Sequence, residues 1–118
     1  MKQVVDFRGL VFGKISPTDI DCFIDFGNKL FVIVEAKHND AQVPFGQMLA
    51  IERLCDATHS PPDRYSVGII VSHKDTENID LGNATVRKYR MDKKWLAPQS
   101  PISLYDAIGL LKKRYKIK

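Results

Sequence analysis

The chain has 118 residues, with 18 Lys and Arg against 14 Asp and Glu, 44% hydrophobic residues and 27% charged ones. That is the composition of one ordinary domain, long enough to bury about two-thirds of its unfolded surface without a disulfide or structural metal. No apolar run approaches the roughly 20 residues of a membrane span. Asp6 and Arg8 interrupt the N-terminus before a signal-peptide core can form, so a cytoplasmic protein with no membrane partner is expected. The net charge of +4 permits a polyanionic partner without requiring one. Cys22 and Cys55 lack the paired spacing of zinc and redox sites and read as small core residues.

In chain order, residues 4–15 contain Gly9 and Gly13 and make a poor helix. Residues 20–26 alternate, Gly27-Asn28-Lys29 is turn chemistry, and residues 30–37 are rich in β-branched and aromatic side chains, which together predict a β-hairpin. A polar loop over 38–43 leads to Pro44, suited to a first helical turn. Phe45, Met48, Leu49, Ile51, Leu54 and Cys55 then give helical spacing to about Thr58. Residues 65–72 predict a strand buried on both faces, and 85–91 alternate with basic residues like an edge strand. Ser103 and Asp106 form a capping pair for a second helix with the stripe Leu104, Ala107, Ile108, Leu111 and Tyr115. The expected fold is α/β, a mixed central β-sheet with flanking helices in a single domain over 1–118.

Loop length fixes which hairpin residues face each other. A three-residue loop at 27–29 sets Ile20, Cys22, Ile24 and Phe26 beside Ala36, Val34, Val32 and Leu30, an entirely apolar face. Loops one residue shorter or longer place Asp21 on that face, at several kcal/mol per buried carboxylate. The same register pairs Asp25 with Phe31, Phe23 with Ile33, Asp21 with Glu35 and Asp19 with Lys37 on the other face.

Facing side chains in an antiparallel pair have Cβ atoms about 4.5–5.5 Å apart, so Asp21 opposite Glu35 is repulsive unless something positive lies between them. Mg²⁺ takes one or two carboxylates, with waters and phosphate oxygens completing its shell, and the backbone carbonyl of Ala36 offers a third protein oxygen. Lys37 shares the strand face of Glu35, where an ammonium can hold a water or stabilise charge developing on a phosphate. The plainer alternative is a solvated salt-bridge network of Asp19, Asp21, Glu35 and Lys37.

The run Ser16-Pro17-Thr18-Asp19-Ile20-Asp21, the hairpin, Glu35-Ala36-Lys37 at a strand end and a following helix with Gln47 together resemble the PD-(D/E)xK nuclease superfamily, which includes restriction endonucleases, Holliday-junction resolvases and many phage nucleases. The motif match covers residues 16–58, and the rest agrees in architecture only. The resemblance implies a restriction-endonuclease-like core and a Mg²⁺- or Mn²⁺-dependent DNA endonuclease. It implies Asp21 and Glu35 as metal ligands, Lys37 as the catalytic lysine, and Gln47 orienting the lysine, the water or a phosphate. Asp19 competes with Asp21 as first acid, and the register favours Asp21. For Gln47 the alternative is a solvated residue of the first helical turn. Many active relatives carry a further acid on an N-terminal helix, and only Asp6 is available for it here.

Arg87, Lys88, Arg90, Lys93 and Lys94, with the C-terminal Lys112, Lys113, Arg114, Lys116 and Lys118, can track a phosphate backbone while Trp95 or Tyr89 stacks on a base. Edge-strand lysines and cations at a helix C-terminus are equally ordinary surface, and Trp95 is expected to pack on the C-terminal helix. His38, next to Lys37, is a candidate for the rim of the site, where it could contact a phosphate, but a plain loop role is the favoured reading, and metal binding is a poor reading for His59 and His73. Structure-specific cutting of branched DNA is one expectation, and cutting two strands needs two sites, which favours a homodimer. The rival is a non-catalytic nucleic-acid-binding or assembly module that keeps the nuclease fold.

Overall fold

The structure, a computed structural model, describes Gln3, residues 5–39 and residues 41–118. Met1, Lys2 and Val4 of the N-terminal reading, and Asp40 of the polar loop, lie outside the described residues. Gly27 and Asn28 both adopt left-handed backbone, with φ of 58° and 63°, closing the hairpin between β1 (Cys22–Phe26) and β2 (Leu30–His38). The Asp25 carboxylate accepts the Asn28 backbone N–H at 2.7 Å and fixes the turn. The register is Cys22–Val34, Ile24–Val32 and Phe26–Leu30, as the three-residue loop requires.

From β2 the chain crosses through α1 (Phe45–Thr58) to β3 (Tyr65–His73), which runs parallel to β2 from Leu30–Tyr65 to His38–His73. β4 (Thr85–Met91) returns antiparallel to β3, with Arg87 bulged out between the pairs Ile70–Lys88 and Val71–Val86. The five strands follow one another in order across a mixed sheet, and α2 (Leu104–Arg114) ends the fold. The Ser103 hydroxyl caps α2 by accepting the Asp106 backbone N–H at 3.1 Å.

β4 is not the edge that its basic alternation predicts. A fifth strand, β5 (Lys94–Leu96), pairs with Tyr89, Arg90 and Met91. Asp92 and Lys93 turn the chain with φ of 52° and 63°, the double left-handed geometry of a two-residue hairpin usually built from Asn-Gly.

The two sheet faces are covered differently. Leu30, Val32, Val34, Val67, Ile69, Val71 and Val86 pack against Leu104, Ala107, Ile108, Leu111 and Tyr115 of α2 and its C-terminal extension, as that helix's stripe predicts. On the opposite face α1 lies over β3, where Ile51 meets Gly68 so closely that a Cβ there would sit 2.7 Å from Ile51 Cγ2. The buried line of α1 is Ile51 and Cys55, while Phe45 and Leu54, expected on the apolar face, are 80% and 41% exposed. Burial pushes the Cys55 thiol up to about 12, in keeping with a core role. Among the described residues no helix is long and apolar enough to cross a membrane.

Candidate functional site

Strand alternation sends Val34 and Ala36 to the α2 face and Glu35 and Lys37 to the α1 face, at the carboxyl end of β2. Glu35 is only 3% exposed, and Lys37 Nζ lies 3.2 Å from its Oε1. The ladder starts at Cys22, so Asp21 stands just outside it rather than in the expected cross-strand pair. Its carboxylate instead accepts the Ala36 backbone N–H at 2.8 Å. Burial, and then the neighbouring Asp21 charge, push the Glu35 carboxyl above the usual carboxylate range, and Lys37 offsets only part of this.

In a strand the N–H and C=O of one residue project to the same side, so the Ala36 carbonyl also points toward Asp21. Two carboxylates and a carbonyl, all hard oxygens, fit Mg²⁺ or Mn²⁺ with waters or phosphate oxygens completing the shell. A cation there would relieve the Asp21 repulsion that adds to burial in raising Glu35. Among the described residues no third His, Cys, Asp or Glu joins this set. Asp19 is exposed, and the expected Asp19–Lys37 pair does not form, because Lys37 is held by Glu35 within its own strand.

Gln47 lies in the first turn of α1. Its Oε1 is buried without a hydrogen-bond partner among the described residues, so it is not the solvated side chain of the plainer reading. The N-terminus of α1 has no side-chain cap and no acidic residue in its first turn, and its first intrahelical bond is Met48 N–H to the Pro44 carbonyl. The N–H groups ahead of Met48 open the helix that follows β2 in the chain and, lacking an intrahelical acceptor, suit an anionic one.

His38 is not at the rim beside Lys37. As an even-numbered residue of β2 it turns to the other face, where its ring packs edge-on against His73 at 5.4 Å between centroids. The N-terminal segment adds no acid: Asp6 is bound by the Arg8 guanidinium at 2.7 Å, and residues 8–10 form only one short 3-10 turn.

The basic residues separate. Arg90 is committed to Asp56 at 2.6 Å and Glu52 at 3.5 Å and serves the packing of α1 on the sheet. Tyr89 packs in the α2 core, away from the α1 face. Trp95 packs toward α1, its indole N–H donating to Glu52 at 3.0 Å, rather than on the C-terminal helix. Arg87 donates to the Ala41 carbonyl at 2.7 Å, Lys88 lies over Trp95, and Lys94 is exposed at the start of β5. Lys112, Lys113 and Arg114 occupy the last turn of α2, where the helix dipole favours cations. Sequence reasoning missed the row Glu35–Ile70–Lys88, which only the parallel pairing of β2 with β3 creates. No family model matches the chain, and neither a curated protein nor a solved structure matches it.

Proposed function

We propose that this chain is a Mg²⁺- or Mn²⁺-dependent DNA endonuclease on a restriction-endonuclease-like core, hydrolysing phosphodiester bonds. The observation that carries the reading is Glu35, buried at a strand end beside a second carboxylate and tied to Lys37. Such an arrangement costs folding stability and is typical of sites shaped for chemistry.

Asp21, Glu35 and the Ala36 carbonyl would hold the cation, which when bound supplies Lewis-acid stabilisation of the phosphate and a more acidic water. Lys37 Nζ orients the attacking water and stabilises the charge that develops on the phosphate oxygens. The water oxygen forms the new P–O bond as the P–O bond to the leaving strand breaks. Gln47 Oε1 is a positioning group for Lys37 or that water, and the first-turn N–H groups of α1 suit a phosphate oxygen. Two copies supply the two sites that cutting both strands requires.

The second reading, a non-catalytic nucleic-acid-binding or assembly module, is favoured by one observation: Asp6 is engaged by Arg8 and brings no acid to the site. Labelled linear duplex, single-stranded and four-way-junction DNA, incubated with Mg²⁺, Mn²⁺ or EDTA, separates the two. Metal-dependent cutting that Glu35→Gln and Lys37→Ala both lose is the expected result. Binding without cutting selects the second reading, and cutting that survives both substitutions places the site elsewhere.

A further inference from the structure

The α1 face carries a second feature, on the far side of α1 from Glu35 and Lys37. Between the first turns of α1 and the β4–β5 hairpin runs a groove of about 610 Å³, whose floor includes Val43, Met48 and Leu49. Phe45 and Trp95 line it with aromatic rings, Arg87 and Lys88 with cations, and Gln42 and Glu52 complete the lining, the Glu52 carboxylate being engaged by the Trp95 indole and Arg90. Among the large apolar side chains of the described residues none is more exposed than Phe45, at 80%. Trp95 is a fixed wall, held by Glu52 and flanked by Lys88 and Arg90 at 5.8 and 5.9 Å from its ring. Phe45 has an open face, with neither an aromatic partner nor a cation against it among the described residues.

We propose that this groove is a subsite for one unpaired nucleobase, so that the substrate class is DNA with flared or unpaired nucleotides beside the cut rather than uninterrupted duplex. The inference rests on the nuclease reading and extends it. A nucleotide presents a flat π-surface joined to an anion, and the groove presents an exposed ring joined to two cations. In continuous duplex the base faces are covered by their neighbours, so a base reaches Phe45 only when it is unstacked.

The position fits the site. Glu35, Ile70 and Lys88 stand in one row, so Lys88 is two strand spacings, about 10 Å, from Glu35 on the same face. Stacked nucleotides advance about 3.4 Å each, which puts the groove about three nucleotides from a phosphate at Glu35, and fewer along an unstacked strand. The intervening path crosses the uncapped start of α1, where Gly46 leaves open space beside the backbone.

The test uses the cleavage-deficient Glu35→Gln protein with flapped DNA carrying 2-aminopurine at one to four nucleotides from the branch, and with matched continuous duplex. Adding Phe45→Ala is expected to weaken flapped-DNA binding about 10-fold and abolish the fluorescence quenching, to change duplex binding less than about twofold, and to leave the melting temperature unchanged; Phe45→Trp restores both signals. If Phe45→Ala leaves binding and quenching intact while DNA is still bound, the groove belongs to another occupant, such as an apolar protein segment, and the proposal falls alone. If the protein binds no DNA, both the subsite and the nuclease reading fall.

Discussion

The two faces of the sheet are built from the same strands and have opposite characters. The α2 face is an apolar layer of Leu, Ile and Val, joined by Tyr65, Tyr89 and Met91 and sealed by a capped helix, with the His38–His73 pair at its end. The α1 face mixes Ile33 and Ile70 with Glu35, Lys37, Ser66, Gly68, Lys88 and Arg90, and its helix lies mainly over β3. One face holds the fold together, which leaves the other free to carry charges that a core would reject.

Substitutions on the two faces should therefore fail in different ways. The largest effect is expected for Glu35→Gln and Lys37→Ala, which should each lower metal-dependent cleavage about 10²–10⁴-fold while the protein stays folded, as read by gel-based rates beside a circular-dichroism melt. Ile69→Ala, on the α2 face, should do the reverse. It should destabilise the chain by about 2–5 kcal/mol in urea titration and leave the cleavage rate of the folded fraction near that of the original protein. Equal stability losses for Glu35→Gln and Ile69→Ala would erase the distinction between the faces.

Gly68→Ala sharpens the comparison, because it presses a methyl group into Ile51 without touching a charge. A loss of about 1–3 kcal/mol is expected, again by urea titration. A smaller effect concerns pH. The folded-state pKa of Glu35 is raised, so the stability this group contributes is fully present below the unfolded carboxylate value of about 4.3 and is lost as pH rises through the folded value. In metal-free buffer, melting temperatures should fall across that window, and Glu35→Gln should remove that part of the fall. A structural salt bridge between Glu35 and Lys37 would give the opposite sign.

The hairpin and its register were legible because one loop length alone gives an apolar face, and α2 because its stripe and cap agree. The apolar spacing of α1 misled at Phe45 and Leu54, since that face has only β3 beneath it and the outer positions find no partner. β5 was hidden by its length and by an Asp-Lys turn that carries no glycine signal. In the site, Glu35 and Lys37 followed from strand alternation. The Asp21 contact with the Ala36 N–H did not, because it depends on where the ladder stops. Arg90 looked like a nucleic-acid contact because its partners, Glu52 and Asp56, reach it only through the β2–α1–β3 crossover.

The central claim is that Asp21 and Glu35 together form a cation site from which Asp19 is excluded. Mn²⁺ titration of the original chain beside Asp21→Asn, Glu35→Gln and Asp19→Asn, followed by electron paramagnetic resonance of the free ion, tests it most directly. One Mn²⁺ site that Asp21→Asn and Glu35→Gln abolish and Asp19→Asn preserves is the predicted result. No Mn²⁺ site in the original chain, or a site that Asp19→Asn removes and Asp21→Asn keeps, would contradict it.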